Sequence, residues 1–351
     1  MGLFSKKVLG VDIGTNSIKI VEISVWGQQK KLENYSEVKS SLLSKEPLLS
    51  TSETGDLISN DLMSKALKEI LKEAKIKTKK VIFSLPDFLT LAAFFEIPQM
   101  TEKEIPGAIY YNASRYLTLP ISEVTLDWKI IPNMGGHKSS NIKVFLIAVP
   151  NQVIKEYQNI SKAAGLELCA IEAEVFGLVR VLGSNNKNTI CLIDIGAKTS
   201  TVNIVDKGYL KSSYSIGFGG KQLSPAPSSS LGVQLNEANA RKVGEDIISQ
   251  KENVKKNMQV TLEPLFSEIK KISDDFIVKE QRQINEIFLT GGASNLPGLK
   301  DCFADNFKGS AVYIPNCFSG FSYPKVLKEN LLEMSPRFSV AVGVALGILE
   351  I

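Results

Sequence analysis

The chain is predicted to be an α/β protein of two related lobes that face one another. Three observations predict it. Residues 8–23, VLGVDIGTNSIKIVEI, are two apolar, β-rich runs joined by a short loop with Gly and Asn, the pattern of a β-hairpin. Residues 190–205, ICLIDIGAKTSTVNIV, repeat that unit; aligned on the aspartates, Asp12 matches Asp194 and Gly14 matches Gly196. Finally, 351 residues with 44% hydrophobic and 22% charged content suffice for two domains with sizeable cores.

The hairpins also point to a ligand. Gly14 lets the backbone approach a ligand closely, and the loop amides can converge on an anion. Asp12 puts a carboxylate at the loop mouth, where a hydrated Mg²⁺ would sit beside phosphates. Lys19 stands alone among Ile18, Ile20 and Val21. An unpaired charge in a buried strand is costly, and a phosphate would be its partner. Two such units imply that each lobe gives one hairpin to a shared phosphate and one carboxylate to a shared metal.

In chain order, residues 26–60 hold strand-like pieces and a Ser/Thr-rich loop, SKEPLLSTSETGD. Leu62, Leu67, Ile70, Leu71 and Ala74 then fall at helical spacing, and the basic tail KIKTKK reads as a solvated helix end. KKVIFSLP is a buried strand stopped by Pro86, and FLTLAAFFEI is a second apolar run bounded by Pro98. Thr101 with Glu104 makes a capping box, and Met100 with Ile105 a hydrophobic staple, although Pro106 costs a hydrogen bond there. EVTLDWKII is an alternating strand, NMGGHKSSN a turn that exposes His137, KVFLIAVP a strand, and NQVIKEYQNISKAAG a helix closed by Gly165. Residues 80–165 are therefore expected to form a compact α+β insertion.

LELCAIEAEVFGLVRVLG runs from a strand into a helix, with Glu172 at the junction. KGYLKSSYSIGFGG ends in Gly219-Gly220, a point where backbone can approach a ligand. Ser224 reads as an N-cap with Pro225 at the first helical position. The long segment to Gln283 is helical, with Val260, Leu265, Ile269, Ile272 and Phe276 near one face. INEIFLTGGASNLPGL leads a strand into Gly291-Gly292, where a planar base or sugar could lie against backbone. In SPRFSVAVGVALGIL, Ser335 reads as an N-cap, and Ala341, Gly343, Ala345 and Gly347 as small-residue faces for close core packing.

Composition narrows the function. A net charge of +4 without aromatic–basic interleaving argues against a nucleic-acid partner. Cys169, Cys191, Cys302 and Cys317 lack Cys-x-x-Cys spacing and read as thiols of a reducing compartment. With His137 as the one histidine, histidine-based triads are excluded. The opening MGLFSKK is too short and charged for a signal peptide, and the apolar run Val340–Leu349 falls short of a membrane span of ~20 residues. A cytosolic chain is expected.

DIGTNSIK, DIGAKTS and TGGASNLPGL, followed by a small-residue final helix, resemble the phosphate-1, phosphate-2 and adenosine segments of the actin-like ATPase superfamily, which includes actin, sugar kinases and FtsA. They occur in the right order and span the whole chain. The helices after residues 168 and 335 look like its two connecting segments. The opening, VIFSLPD and an insertion containing RYLTLPISEVTLDWKII are similar to the FtsA-related PilM family of type IV pilus assembly.

The resemblance implies a two-lobed actin-like ATPase fold with duplicated mixed-sheet cores and an FtsA-like 1C subdomain insertion. Residues 1–79, 166–186 and 335–351 would form the first core (1A), 80–165 the 1C-like insertion, 187–221 and 284–334 the second core (2A), and 222–283 a helical subdomain (2B). It implies ATP and Mg²⁺ as ligands, with at most a slow Mg-dependent ATPase activity. Asp12 and Asp194 would face the metal. Gly14, Thr15, Asn16 and Lys19 would contact phosphate from the first hairpin, and Gly196, Lys198 and Thr199 from the second. Glu172 would orient the attacking water, and Gly219 and Gly220 would lie near the nucleotide. Gly291, Gly292 and Asn295 would hold adenosine. Lys242 keeps a position near ribose and base, whereas Asn239 replaces a usual Glu by a neutral hydrogen-bonding partner.

The implied partner is the N-terminal cytoplasmic tail of the inner-membrane protein PilN, together with other proteins of the pilus inner-membrane platform. This would place the chain peripherally at the inner membrane. Two other functions stay open. A small-molecule, sugar-type kinase of the same superfold would need a second pocket with a catalytic carboxylate, and no motif identifies one. An FtsA-like cell-division filament protein would end in an amphipathic membrane helix, whereas this chain stops at Ile351 within an apolar helix.

Overall fold

The first lobe is a six-stranded mixed sheet built outward from β1 (Lys6–Ile13). β2 (Ser17–Trp26) pairs antiparallel with β1, and β3 (Gln29–Lys39) antiparallel with β2. On the other side β4 (Lys80–Leu85) pairs parallel with β1, and β8 (Glu167–Ala173) parallel with β4. The computed structural model describes residues 6–43, 60–132, 141–184, 186–223 and 247–349, with side chains omitted for 247–254. The Ser/Thr-rich loop, His137, the Ser224–Pro225 helix start, Asn239 and Lys242 lie outside these residues.

β1, β2 and β4 are buried on both faces because helices cover both. Leu9, Val11, Ile18 and Ile20 pack under α1 (Asn60–Glu73) and α3 (Asn151–Ala164). Val8, Val21, Ile23 and Ile82 pack under α8 (Lys328–Leu346). α3 ends on Gly165 at φ 74°, the left-handed cap read from the sequence.

The second lobe repeats the plan. β9 (Thr189–Ile195) and β10 (Ser200–Asp206) form the hairpin, β11 (Tyr209–Ile216) extends it and leads to the short α5 (Gly220–Leu223), and β12 (Glu286–Thr290) pairs parallel with β9 as β4 does with β1. β13 (Ala311–Tyr313) completes the sheet. One face carries α6 (Ile247–Glu280) and α7 (Leu299–Asn306). The other, with Ile190, Leu192 and Val205, joins the core beneath α8 and α4 (Glu174–Leu178). On α6 the buried stripe is Met258, Leu262, Leu265, Phe266, Ile269 and Phe276; Val260 is 71% exposed, one step off that face.

A third sheet, antiparallel in the order β5 (Leu91–Pro98), β7 (Asn141–Pro150), β6 (Val124–Ile131), has its own small core with α2 (Ile105–Ala113). Only half of the expected capping box forms: the Glu104 carboxylate accepts the Thr101 N–H at 2.9 Å, but the Thr101 hydroxyl donates to the same carboxylate, the Glu104 N–H goes to the Thr101 carbonyl, and α2 starts one residue after Glu104. Met100 and Ile105 share the core, as the staple requires. This separate sheet begins at Leu91, not at residue 80. β4 is a continuously buried strand between β1 and β8, and α3 packs on α1, so both belong to the first lobe. The chain likewise re-enters the first lobe before residue 335, because β14 (Phe321–Ser322) pairs with β3.

Ser335 does not cap a helix. α8 starts at Lys328 and runs through Pro336, because Leu331 and Phe338 already share a buried face. The Ser335 hydroxyl instead accepts the Cys317 N–H and donates to the Pro315 carbonyl. The stretch Lys325–Leu349 is long and apolar enough to cross a membrane, yet 78% of its most apolar window is buried in the fold. Burial also pushes the Cys191 and Cys317 thiols up to about 12.

Small residues let α8 sit close against β1 and α4. A Cβ on Gly10 would strike the Ala341 carbonyl, and one on Gly343 the Gly177 carbonyl of the α4 segment. Gly343→Ala should therefore lower unfolding stability by about 3 kcal/mol, the upper range for overpacking. Gly309→Ala, with no atom within 4 Å, should change it little. Urea denaturation of both variants checks this.

Candidate functional site

The two hairpin loops line one cleft of about 340 Å³ between the lobes. The loops are built alike: the Gly14 N–H donates to the Ser17 carbonyl and the Gly196 N–H to the Thr199 carbonyl, both at 3.0 Å. The registers match too. Asp12 lies opposite Lys19 across the first hairpin, and Asp194 opposite Thr201 across the second. Only the first hairpin thus carries a cation at this position. Lys19 Nζ lies 3.2 Å from Asp12 Oδ2, and the Ser84 hydroxyl donates to Asp12 Oδ1 at 2.9 Å. Burial works against the Lys19 charge, but Asp12, Glu37 and Asp194 together hold its pKa above the usual value.

Carboxylates outnumber this lysine. Asp87, Glu174 and Asp194 line the cleft with Asp12. Burial and the Asp12 charge push Asp194 up to about 7, against the pull of Lys19. Burial pushes Asp87 up to about 7 as well. Glu174 is raised well above its usual value by burial and by Asp12, Asp87 and Asp194. Gly291, at φ 88°, supports this arrangement, since a Cβ there would collide with Asp194 Oδ1. Its N–H and the Thr290 hydroxyl both donate to the Pro336 carbonyl, tying the second lobe to α8.

Of the residues expected from the sequence, Asp12, Gly14, Thr15, Asn16, Lys19, Asp194, Gly196, Thr199, Gly220, Gly291 and Gly292 line the cleft. Gly219 packs behind the second loop, where a Cβ would lie 2.7 Å from the Lys198 nitrogen. Lys198 is not part of the lining, and Asn295 donates to the Glu333 carbonyl instead.

Glu172 is the main correction. Its carboxylate is held by Arg180 through two hydrogen bonds, at 2.5 and 2.7 Å, and it does not line the cleft. Glu174, past the end of β8 and at the start of α4, does. Sequence reading also missed Asp87, Glu37 and Arg337, whose Nε lies 3.6 Å from Glu37. Asp87 had a local signal in the SLPD that stops β4. The Glu37–Arg337 contact had none, because it joins distant parts of the chain.

The excess of hard oxygen donors fits a divalent cation. Among the described residues no three His, Cys, Asp or Glu side chains converge as direct ligands. The set therefore suits a Mg²⁺ that keeps waters between itself and the carboxylates. The glycine-lined loops, Lys19 and the apolar Ala293, Leu296 and Val340 fit a nucleotide.

A family model described as Type IV pilus assembly protein PilM matches residues 10–348. The cell division protein FtsA of Enterococcus faecalis is 21% identical over 356 residues, covering 88% of this chain and 78% of FtsA. A solved PilM–PilN type IV pilus biogenesis complex matches with a TM-score of 0.77 and 21% identity, covering 97% of both chains. The ethanolamine utilization protein EutJ of Carboxydothermus hydrogenoformans matches with a TM-score of 0.55 and 15% identity, over 99% of this chain and 90% of EutJ. The fold is the actin-like ATPase fold expected from the sequence.

The raised Asp194 pKa makes stability depend on pH. Its folded pKa of about 7 exceeds the usual 3.8, so the native state holds a proton that the unfolded chain releases. Stability must then fall as pH rises across that window, with the loss complete above the folded value. In metal-free protein, Asp194→Asn should gain stability relative to wild type as pH goes from 5 to 8, measured by urea denaturation across that window.

Proposed function

Since the chain belongs to the PilM family of type IV pilus assembly proteins, we propose that it is a cytoplasmic ATP-binding protein whose nucleotide state is read by the pilus inner-membrane platform. The observation that carries this reading is the pair of register-matched Asp hairpins lining one cleft, the first of which carries the buried Lys19 beside its aspartate. Lys19 would leave Asp12 for a phosphate, and the amides of residues 14–16 and 196–199 would surround it. Asp12 and Asp194 would hold the waters of Mg²⁺, whose charge would offset the crowded carboxylates. Glu174, not Glu172, would hold a water for slow hydrolysis, since it faces the cleft. In superfamily terms the first lobe would be 1A, Leu91–Pro150 the 1C-like insertion and the second lobe 2A.

The partner is the N-terminal cytoplasmic tail of PilN, which would recruit the chain, with other platform proteins, to the inner membrane. The presence of PilN in the solved PilM–PilN complex supports this choice. β5 and β6 are the edge strands of the inserted sheet. An extended tail can add main-chain hydrogen bonds at such an edge, with side-chain pockets setting specificity.

Calorimetry should detect Mg²⁺-dependent ATP binding that Asp194→Ala weakens; no heat with ATP or ADP at millimolar ligand would reject the nucleotide site. Glu174→Ala should retain ATP and lose turnover by about 100-fold or more, the scale of general-base loss. Glu172→Ala should instead cost about 2 kcal/mol of stability through its broken charge-assisted bonds, with turnover kept. A synthetic PilN-type tail should bind the full chain and slow hydrogen exchange within Leu91–Pro150; binding without protection there would reject the groove.

A further inference from the structure

Asp87 stands where the cleft meets the inserted sheet. β4 ends at Leu85, Asp87–Leu89 make one 3₁₀ turn, and β5 begins at Leu91. The Thr90 N–H and hydroxyl both donate to the Asp87 carbonyl, at 3.1 and 2.9 Å, so turn and strand are tied together. The Asp87 carboxylate accepts the backbone N–H of Val175, the residue after Glu174. The next residue, Phe176, touches the inserted sheet: its ring meets Phe145 at 5.6 Å, and Lys129 Nζ lies 4.8 Å above it.

Asp87 also borders two cavities. One is the nucleotide cleft. The other, of about 270 Å³, is lined by Leu91, Ala92 and Ile147 of the inserted sheet and by Ser213 and Ser215 of β11. Asp87 Oδ2 is buried and has no hydrogen-bond partner among the described residues. A buried acceptor without a partner is costly, so a cation or ordered water that offers one gains free energy by drawing the oxygen to it.

We propose that Asp87 is a positioning residue that couples occupancy of the cleft to the set of the inserted subdomain, a step that rests on the nucleotide reading above. A hydrated cation brought with the nucleotide gives Oδ2 its missing partner. The carboxylate then carries the 87–89 turn with it, and Thr90 passes the movement to β5. The Val175 bond keeps Glu174 in step with the same displacement. A ligand shifts such an equilibrium only through differential contacts with the two states, and the free oxygen supplies one.

The two tryptophans make the test direct. Trp26 is 64% exposed, so Trp26→Phe leaves Trp128, half-buried on β6, as the reporter of the inserted sheet. In that background the full chain is titrated with Mg²⁺–ATP, binding being followed by calorimetry and the sheet by Trp128 emission at saturation. Binding should come with an emission change. Asp87→Asn keeps an acceptor for Val175 but puts an amide donor at Oδ2, and should lose the change at saturation. Thr90→Val leaves the carboxylate in place and removes one tether; it should bind ATP and show a smaller change, and it decides the matter if Asp87→Asn no longer binds. Binding without a Trp128 response, or an equal response in both variants, overturns the coupling alone. Absence of ATP binding in the Trp26→Phe protein overturns the nucleotide reading and the coupling together.

Discussion

Five carboxylates, from Asp12, Glu37, Asp87, Glu174 and Asp194, line one cleft in which Lys19 is the buried cation and Arg337 answers Glu37. Such crowding is unfavourable for an empty site, and protons relieve it in part, as the raised pKa values of Asp87, Glu174 and Asp194 record. A metal-bound polyphosphate relieves it differently. The cation answers the carboxylates, and the phosphates answer the lysine. The geometry around the cleft serves this balance: Ser84 anchors Asp12, Gly291 leaves room for Asp194, and the matched loops bring both aspartates to one space.

The same duplication that makes the cleft sets it at the junction of the two lobes. Each lobe is a hairpin with a parallel third strand, and the two are joined through α4 and α8 by a core that includes residues from both sheets. Gly10, Gly177 and Gly343 bring these backbones into close contact. The inserted sheet rests on this junction through Phe145 and Ile147. Events at the cleft therefore lie one turn of chain from the surface proposed to meet a partner.

Much of this was legible in the sequence, where the signals are local. The Asp-Ile-Gly repeat announced both hairpins and both aspartates, and Gly165 announced its helix cap. What failed depended on distant partners. Glu172 and Glu174 sit two apart at a strand end, where the strand's alternation no longer fixes which way each points. Arg180 captures Glu172, and the turn into α4 presents Glu174 to the cleft. Ser335-Pro336 carries a strong helix-start signal, but tertiary burial of Leu331 and Phe338 extends α8 past it. The continuous apolar character of β4 did mark it as a central strand, so the inserted sheet was bounded too early by sequence reading.

The proposed state of the cleft is a metal-bound nucleotide between the two aspartates, with Lys19 on phosphate. It is tested most directly by diffraction from crystals grown with ADP and Mn²⁺, using the anomalous signal of manganese. One anomalous peak is expected between the hairpin loops, water-separated from Asp12 and Asp194, with Lys19 Nζ moved from Asp12 onto a phosphate oxygen. Nucleotide bound outside the cleft, or bound within it with the Lys19–Asp12 pair intact and no metal beside the aspartates, would contradict it.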